Sequence, residues 1–273
     1  MPILDQPVSL LSRINYNPSL RGHVGVEREF FLTEERNGGY QYQEWMGIGW
    51  SAETHFVPRS PDFLAAINDP AWTYELSACQ VEHRTDPLFE LADIRASLQS
   101  GIVRGSRVAE SLGLRLSAIE VAPAEMPLTV YPHDERYANI VATLPAPVLA
   151  AACRVTGTHF HVGCASAEEA LAVHNALVPH LDRLAALGDH SAGERIRLYK
   201  MMATNWQPPV YDSAEHFDAV ANDQGFAANL RNCWHLIRVS RHGTVELRMF
   251  GMTANVDENV AWIETVRDIL RGV

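Results

Sequence analysis

Pairs of polar residues two positions apart recur along this chain, and most of them are glutamate or histidine with apolar neighbours. In a β-strand, alternate residues project from the same face, so each pair would present its two side chains together. Carboxylates that face one another on a sheet repel, so the pattern predicts cations bound between them. The pairs are Glu27 and Glu29, Gln80 and Glu82, His159 and His161, and Glu246 and Arg248, with Glu75 upstream of the second pair.

The ligand types indicate which cation would bind. Carboxylate oxygens with one imidazole favour hard cations such as Mg²⁺ or Mn²⁺, whereas zinc prefers His and Cys. A second hypothesis is a mononuclear iron or manganese centre on His159 and His161, with Glu168 or Glu169 as a further ligand. Those two glutamates lie in the capping turn of a predicted helix, where acidic residues already have a structural explanation.

Divalent cations held by carboxylates can bridge nucleotide phosphates and stabilise phosphoryl transfer. Lys200 is the only lysine in the chain, so a G-x-x-x-x-G-K-[ST] phosphate loop is excluded. Any phosphate must therefore be held by metal ions and arginines. Arg248 lies beside Glu246, and a second basic cluster follows Gly193. A solvated helix face explains that second cluster as well as phosphate binding does; its members are Arg195, Arg197 and Lys200.

Hydrophobic periodicity predicts the elements that would position these residues. No repeat or linker divides the chain, so residues 1–273 are predicted to form a single catalytic domain. Helices are predicted at 87–112, with Asp86 as its cap, at 167–187, kinked at Pro179, and at 257–271. Strands are predicted at 23–32, 73–83, 114–121, 157–164, 234–240 and 244–250, with a weaker strand within 40–50.

These elements predict a sheet with one open, polar face. Each helix has a single apolar stripe and the strands alternate, so helices should cover one side of the sheet only. Glu75 and Glu82 are seven residues apart, which would place them on opposite faces of an unbroken strand. A β-bulge between them is therefore expected if both serve one site.

Composition excludes several functional classes. The chain has 273 residues, with 22 Lys and Arg against 33 Asp and Glu, so its formal net charge is −11. That charge disfavours a nucleic-acid partner held through its phosphates. We find no apolar run long enough for a membrane span and no secretory signal, and the four cysteines are widely separated. We therefore predict a cytoplasmic protein with reduced thiols.

Four segments, taken in order, resemble the glutamate–cysteine ligase family, second type, which includes bacterial carboxylate–amine ligases. They are V-G-V-E-R-E-F at 24–30, Y-E-L to Q-V-E at 74–82, G-T-H-F-H-V-G at 157–163 and T-V-E-L-R at 244–248. Arg28 stands where many members have a third acidic residue. Segment 190–235, which would shape the acceptor pocket, matches the family pattern only loosely.

The resemblance implies an α+β fold like the catalytic domain of glutamine synthetase. This is a curved, largely antiparallel sheet with helices on one face and with ATP and Mg²⁺ or Mn²⁺ on its concave face. ATP would phosphorylate an acid such as glutamate to an acyl phosphate, and an amine would then form an amide, by family default γ-glutamyl. The resemblance implies Arg248 as a phosphate contact, and as metal ligands Glu27, Glu29, Glu75, Glu82, His159 and Glu246.

We therefore predict an ATP-dependent carbon–nitrogen ligase whose partners are a small acid and an amine, and a homo-oligomer is compatible with the sequence. The mononuclear metal enzyme and a non-catalytic metabolite-binding relative remain alternatives. Decay of a site would normally have replaced some of its acidic positions. The predicted catalytic residues are Arg248, Glu29 and Glu82. The predicted nucleotide contacts are Arg248, Arg195, Arg197 and Lys200. The predicted substrate contacts are Gln80, His161, Tyr199 and Asn205.

Overall fold

The computed structural model describes residues 9–35 and 54–273. Within these ranges, eight strands form one sheet in which every pairing is antiparallel. The predicted α+β class with a largely antiparallel sheet is confirmed, whereas the strand predicted within 40–50 lies outside the described residues. The strands are β1 (Val24–Glu35), β2 (Thr54–Phe56), β3 (Trp72–Tyr74), β4 (Gln80–Arg84), β5 (Arg115–Ser117), β6 (Gly157–Gly163), β7 (Ile237–Val239) and β8 (Thr244–Gly251).

The long strand β1 lies at the centre of this sheet. The strand order is β3-β4-β1-β6-β8-β7, and the short strands β2 and β5 also pair with β1. The hairpin predicted from the two segments on either side of residues 241–243 is present as β7 and β8, although its first strand is shorter than predicted. The strands that carry the polar pairs are therefore neighbours.

The described residues form nine α-helices, more than the periodicity predicted. The three predicted helical regions are present, whereas the short helices of the chain lack a long apolar stripe and were not predicted. None of the helices in the described ranges is long and apolar enough to cross a membrane. The helices are α1 (Ser60–Ile67), α2 (Leu91–Ser111), α3 (Glu135–Val141), α4 (Ala146–Arg154), α5 (Ala167–Leu177), α6 (Leu181–Leu187), α7 (Glu194–Met202), α8 (Ala214–Asp223) and α9 (Val256–Ile269).

A local sequence signal determines one of the predicted helix boundaries, and a tertiary contact determines another. The kink at Pro179 is confirmed, because α5 and α6 are separated by a 3₁₀ turn at Val178–His180. The helix predicted from residue 87 begins instead at Leu91, so Asp86 is not its cap. Leu88 is held in an extended conformation by two backbone hydrogen bonds with Val24, of 2.8 and 3.1 Å. This pairing keeps the preceding residues out of the helix.

The two faces of β1 have opposite characters. Val24 and Val26 pack into the main apolar cluster beneath α2, α5, α6 and α9, and Arg28 lies on the same side, where its Nη2 donates to Leu98 O at 2.7 Å. Glu27 and Glu29 therefore project from the other face. That face is not fully open as predicted, because a separate apolar cluster covers one end. The cluster contains Phe31, Phe56, Cys79, Ala122, Met126 and Cys153.

Glu75 and Glu82 lie in a hairpin, not in one bulged strand. Strands β3 and β4 pair with Thr73 opposite Glu82, and residues 75–79 form the connection between them. The backbone N–H of Gln80 donates to Ser77 O at 3.0 Å, which closes this connection. The reversal of the chain brings Glu75 back beside Glu82, so the predicted bulge is replaced by a turn.

Gly163, at the end of β6, is a position where no larger residue fits. A Cβ there would lie 2.1 Å from Leu20 O, a backbone atom that cannot rotate away. We expect Gly163→Ala to lower the free energy of unfolding by about 1–3 kcal/mol through overpacking, as measured by urea denaturation. Gly272→Ala is the control, because its Cβ would meet nothing within 4 Å. Equal stability of the two variants would contradict this packing argument.

Candidate active site

The register of the sheet brings the predicted polar residues together. Cross-strand partners on an antiparallel sheet lie side by side, with Cβ atoms about 5 Å apart. Each predicted pair on a strand is aligned with a polar residue on the neighbouring strand. The aligned partners are Glu29 with Glu82, Glu27 with His159, and His161 with Glu246. One polar row therefore crosses β4, β1, β6 and β8.

The ligand atoms of this row form two compact groups. The carboxylates of Glu29, Glu75 and Glu82 place one oxygen each within 4.8 Å of one another, and so do the ligand atoms of Glu27, His161 and Glu246. We call these the glutamate group and the mixed group. Thus five glutamates and one histidine converge on one face of the sheet, as the sequence predicted for the glutamates.

His159 lies between the two groups. Its Nδ1 is 3.6 Å from Glu27 Oε2, and its Nε2 is 3.8 Å from Glu29 Oε1. The predicted ligand His159 is therefore adjacent to both groups, whereas the predicted substrate contact His161 belongs to the mixed group. The two histidines of the H-x-H motif thus occupy different positions relative to the carboxylates.

The carboxylates of the glutamate group carry an electrostatic cost without cations. Burial, together with Glu27 and Glu75, raises the pKa of Glu82 well above its usual range. Burial also raises the pKa of Glu29 and that of Glu75, and in each case a neighbouring glutamate adds to the shift. Such a group is stabilised by any cation that enters it.

In the mixed group, nearby histidine and arginine side chains offset the negative charge of the carboxylates. Burial opposes ionisation of Glu27, but the effects of His161 and His159 prevail and hold the pKa of Glu27 well below its usual range. Burial likewise opposes ionisation of Glu246, but Arg238 and Arg248 prevail and lower its pKa. Both carboxylates are therefore ionised at neutral pH.

Glu246 holds two arginines against this face. Arg238 donates from Nε to Glu246 Oε2 at 2.7 Å and from Nη2 to Oε1 at 3.1 Å, and Arg248 donates from Nη1 to Oε1. Arg248 Nε also donates to the hydroxyl of Tyr199 at 3.3 Å. Two guanidinium groups thus lie beside the carboxylates, and guanidinium is the usual partner of phosphate oxygens.

A β-bulge sets the position of Arg248. Between β6 and β8 the register shifts by one residue, because Thr158 pairs with Phe250 while Phe160 pairs with Leu247. The extra residue leaves carbonyl groups of β8 outside the ladder. The buried guanidinium of Arg195 bonds to two of these carbonyls and to one carbonyl that precedes β6. Its three acceptors are Thr156 O at 2.7 Å, Met249 O at 3.1 Å and Arg248 O at 3.1 Å.

The chemistry of the donors fits hard divalent cations. His159 Nδ1 and His161 Nε2 are buried and have no hydrogen-bond partner among the described residues. A buried nitrogen without a partner is costly unless it serves a ligand. Five carboxylates with imidazole resemble Mg²⁺ and Mn²⁺ sites more than zinc sites. The residues present therefore fit the predicted metal.

The structure does not bring every predicted site residue to this face. Arg197 is exposed and paired with Glu194 at 2.6 Å, and the Nζ of Lys200 lies 3.9 Å above the Trp206 ring. Asn205 donates to Gln224 Oε1 at 3.0 Å instead of facing the carboxylates. Their roles in ligand binding remain predictions.

Two other predicted substrate contacts have structural hydrogen bonds. Gln80 Nε2 donates to Cys153 O at 3.2 Å and to Val155 O at 2.8 Å, which ties β4 to the end of α4. The hydroxyl of Tyr199 donates to Trp234 O at 2.9 Å, so it is fixed beside Arg248. Both side chains therefore support the site residues, and their contact with substrate remains a prediction.

Two residues at this face were missed by sequence reasoning. Arg238 pairs directly with Glu246, and the register of the predicted β7–β8 hairpin could have revealed it. Tyr137, on the short helix α3, approaches the glutamate group; burial, together with Glu75, raises the pKa of its hydroxyl. The sequence carried no signal for α3.

The structure is similar to the crystal structure of a bifunctional glutathione synthetase from Pasteurella multocida, with a TM-score of 0.53 and 13% identity over 93% of this chain and 38% of that one. The likeness defines the class of fold, an open antiparallel sheet with helices. The family model of glutamate-cysteine ligase family 2 matches residues 23–272. The chain therefore belongs to glutamate-cysteine ligase family 2.

Curated relatives agree with this family. "Putative glutamate--cysteine ligase 2-2" of Mycobacterium sp. (strain KMS) is 29% identical over 266 residues. The protein of the same name from Mycolicibacterium vanbaalenii is 30% identical over 265 residues. Each match covers 89% of this chain, and the chain spans 66% of the length of each relative.

Proposed function

We propose that this chain is an ATP-dependent ligase that joins a small carboxylic acid to an amine. The observation that carries the proposal is the convergence of the glutamate group and the mixed group beside Arg238 and Arg248. Cations held by carboxylates, next to guanidinium groups, are the combination that phosphoryl transfer requires. Family membership supports a ligase.

Each group of side chains has a distinct task in this proposal. The glutamate group and the mixed group would each hold a divalent cation. When bound, Mg²⁺ or Mn²⁺ supplies neutralisation of the phosphate charge and orientation of the phosphates. Arg248, fixed by Glu246 and Tyr199, would bind oxygens of the transferred phosphoryl group, and Arg238 would bind beside it. His159 would orient Glu27 and Glu29.

The reaction proceeds in two steps. A carboxylate oxygen of the acid forms a bond to the γ-phosphorus of ATP while the bond to the ADP oxygen breaks, which gives an acyl phosphate. The amine nitrogen then bonds to the acyl carbon and loses a proton, while the carbon–oxygen bond to phosphate breaks. The products are ADP, phosphate and an amide. A γ-glutamyl donor is the default that the family suggests.

The mononuclear alternative is less well supported by the geometry. That hypothesis requires Glu168 or Glu169 as a further metal ligand beside His159 and His161. The carboxylate of Glu169 instead pairs with Arg21 and accepts a hydrogen bond of 2.6 Å from Ala165 N. Glu169 is thus engaged by other partners at the start of α5.

A coupled assay tests the proposal. ADP release is measured with Mg²⁺ and ATP while glutamate and other acids are paired with a panel of amines, and products are identified by mass. We expect ADP release that requires both an acid and an amine, with a product equal to their sum minus water. ADP release that no acid stimulates, with no amide in any mixture, would overturn the proposal.

A further inference from the structure

Arg28 lies on the face of the sheet opposite to the carboxylates, and it is fully buried. The residue is 0% exposed, and its Nη2 donates to Leu98 O of α2 at 2.7 Å. Its Nε and Nη1 are buried and have no hydrogen-bond partner among the described residues. The N–H groups of a guanidinium can only donate, so their roles do not depend on a tautomer. The interior of the protein therefore holds donors that lack an acceptor.

The positive charge of Arg28 is also uncompensated. Burial is the one cause that shifts the pKa of Arg28, which it lowers to about 9, and no acidic side chain opposes this effect. Asp69 acts on the neighbouring His83, but the carboxylate of Asp69 is paired with Arg104 at 2.5 Å. A guanidinium without a counter-charge is unfavourable in an apolar interior. Arg28 therefore lacks both an acceptor and a negative partner.

The surroundings of this guanidinium are apolar and closely packed. Its Cζ lies 5.4 Å from the centre of the Phe30 ring. His83 is the cross-strand partner of Arg28 on β4, and its ring lies 4.9 Å from the ring of Trp72. The imidazole also packs against α2, because a Cβ at Gly101 would lie 2.2 Å from it. This close approach of helix and sheet favours a small ligand over a bulky one such as sulfate or phosphate.

We propose that the guanidinium of Arg28 binds a small monovalent anion, of the chloride class, between β1, β4 and α2. Such an anion supplies both an acceptor for the N–H groups and a negative charge. A water molecule supplies the acceptor alone and leaves the charge in apolar surroundings. A divalent anion would leave an excess negative charge there. The site lies across the sheet from the glutamate group and the mixed group, so the inference does not depend on the proposed function.

Thermal unfolding of the full chain at increasing chloride concentration tests the inference. Metal is removed with EDTA, nucleotide is omitted, and chloride replaces the bulky anion gluconate at constant ionic strength, so that screening is unchanged. We expect the melting temperature to rise by about 2–4 °C when chloride reaches about tenfold its half-saturating concentration, because the anion binds the folded chain. No response to chloride would overturn the inference and leave the proposed function intact.

Arg28→Met removes the charge and keeps an apolar side chain of similar length. The melting temperature of this variant should not depend on chloride. Arg183→Met is the control, because Arg183 is an exposed residue of α6, and this variant should respond to chloride as the wild type does. A chloride response that persists in Arg28→Met would place the anion elsewhere on the chain and would overturn the inference.

Bromide decides the matter if Arg28→Met does not fold. Crystals of the wild-type chain are grown with bromide in place of chloride, and bromide is located by its anomalous signal. We expect a buried bromide beside the guanidinium of Arg28, on the helix side of the sheet. Bromide at surface positions only, as adventitious ions, would overturn the inference even if chloride had raised the melting temperature.

Discussion

Replacement of Glu82 by Gln is expected to abolish ADP formation while stabilising the metal-free protein. The amide cannot replace the carboxylate as a ligand and charge in the glutamate group, so we expect a loss of about 10³-fold in turnover. The same change removes a buried negative charge that lies close to Glu29 and Glu75. We expect the melting temperature without metal to rise by about 2–4 °C at neutral pH, which corresponds to about 1 kcal/mol.

The stability effect has a defined pH dependence. The pKa of Glu82 is raised above its ordinary value of 4.5, so the folded chain holds this proton more tightly than the unfolded chain does. The resulting stabilisation is complete below pH 4.5 and is lost as the pH rises through the folded-state pKa. The advantage of Glu82→Gln in melting temperature should therefore be small at pH 4 and grow toward pH 8.

Glu34→Gln is the control for both measurements. Glu34 lies on the neighbouring strand β1 but is partly exposed, and Arg59 Nη1 lies 4.0 Å from its carboxylate. This variant should keep wild-type turnover and stability to within about 0.5 kcal/mol. Normal ADP formation by Glu82→Gln would show that the glutamate group is not part of the site.

Replacement of Arg195 by Met should be the most destabilising change in the site region. Its guanidinium satisfies the carbonyls of Thr156, Arg248 and Met249 in the interior, where water cannot replace it. Each buried carbonyl left without a partner costs about 1–3 kcal/mol. We expect a loss of about 3–5 kcal/mol in the free energy of unfolding, as measured by urea denaturation.

Arg197→Met separates this effect from loss of charge. Arg197 is on the same helix but is exposed, and it forms an ion pair with Glu194 and a contact of 3.5 Å with the sulfur of Met201. Loss of this surface ion pair should cost at most about 1 kcal/mol. If Arg195→Met were also within about 1 kcal/mol of wild type, the role of Arg195 in supporting the bulge would be refuted.

The polar face of the sheet could be predicted because its signal is local. The spacing of Glu27 and Glu29, and of His159 and His161, assigns each pair to one face of a strand without knowledge of the neighbours. The register between strands then determines which pairs lie side by side, since it aligns Glu29 with Glu82. Side-chain alternation was therefore sufficient to find most of the site.

The features that the sequence did not reveal depend on contacts between distant segments. Arg195 shares a basic cluster with Arg197, so sequence suggested phosphate binding for both. The structure shows that Arg195 bonds to carbonyl groups at the bulge on β8. No local sequence pattern encodes that bulge. Similarly, the start of α2 depends on the pairing of Leu88 with Val24, which overrides the capping signal of Asp86.

Anomalous diffraction from crystals grown with Mn²⁺ and a non-hydrolysable ATP analogue tests directly whether the glutamate group and the mixed group hold divalent cations. We expect one manganese peak among Glu29, Glu75 and Glu82, and another among Glu27, His161 and Glu246. Phosphate density should lie beside Arg248. Manganese bound elsewhere on the chain, with neither of these groups occupied, would contradict this expectation.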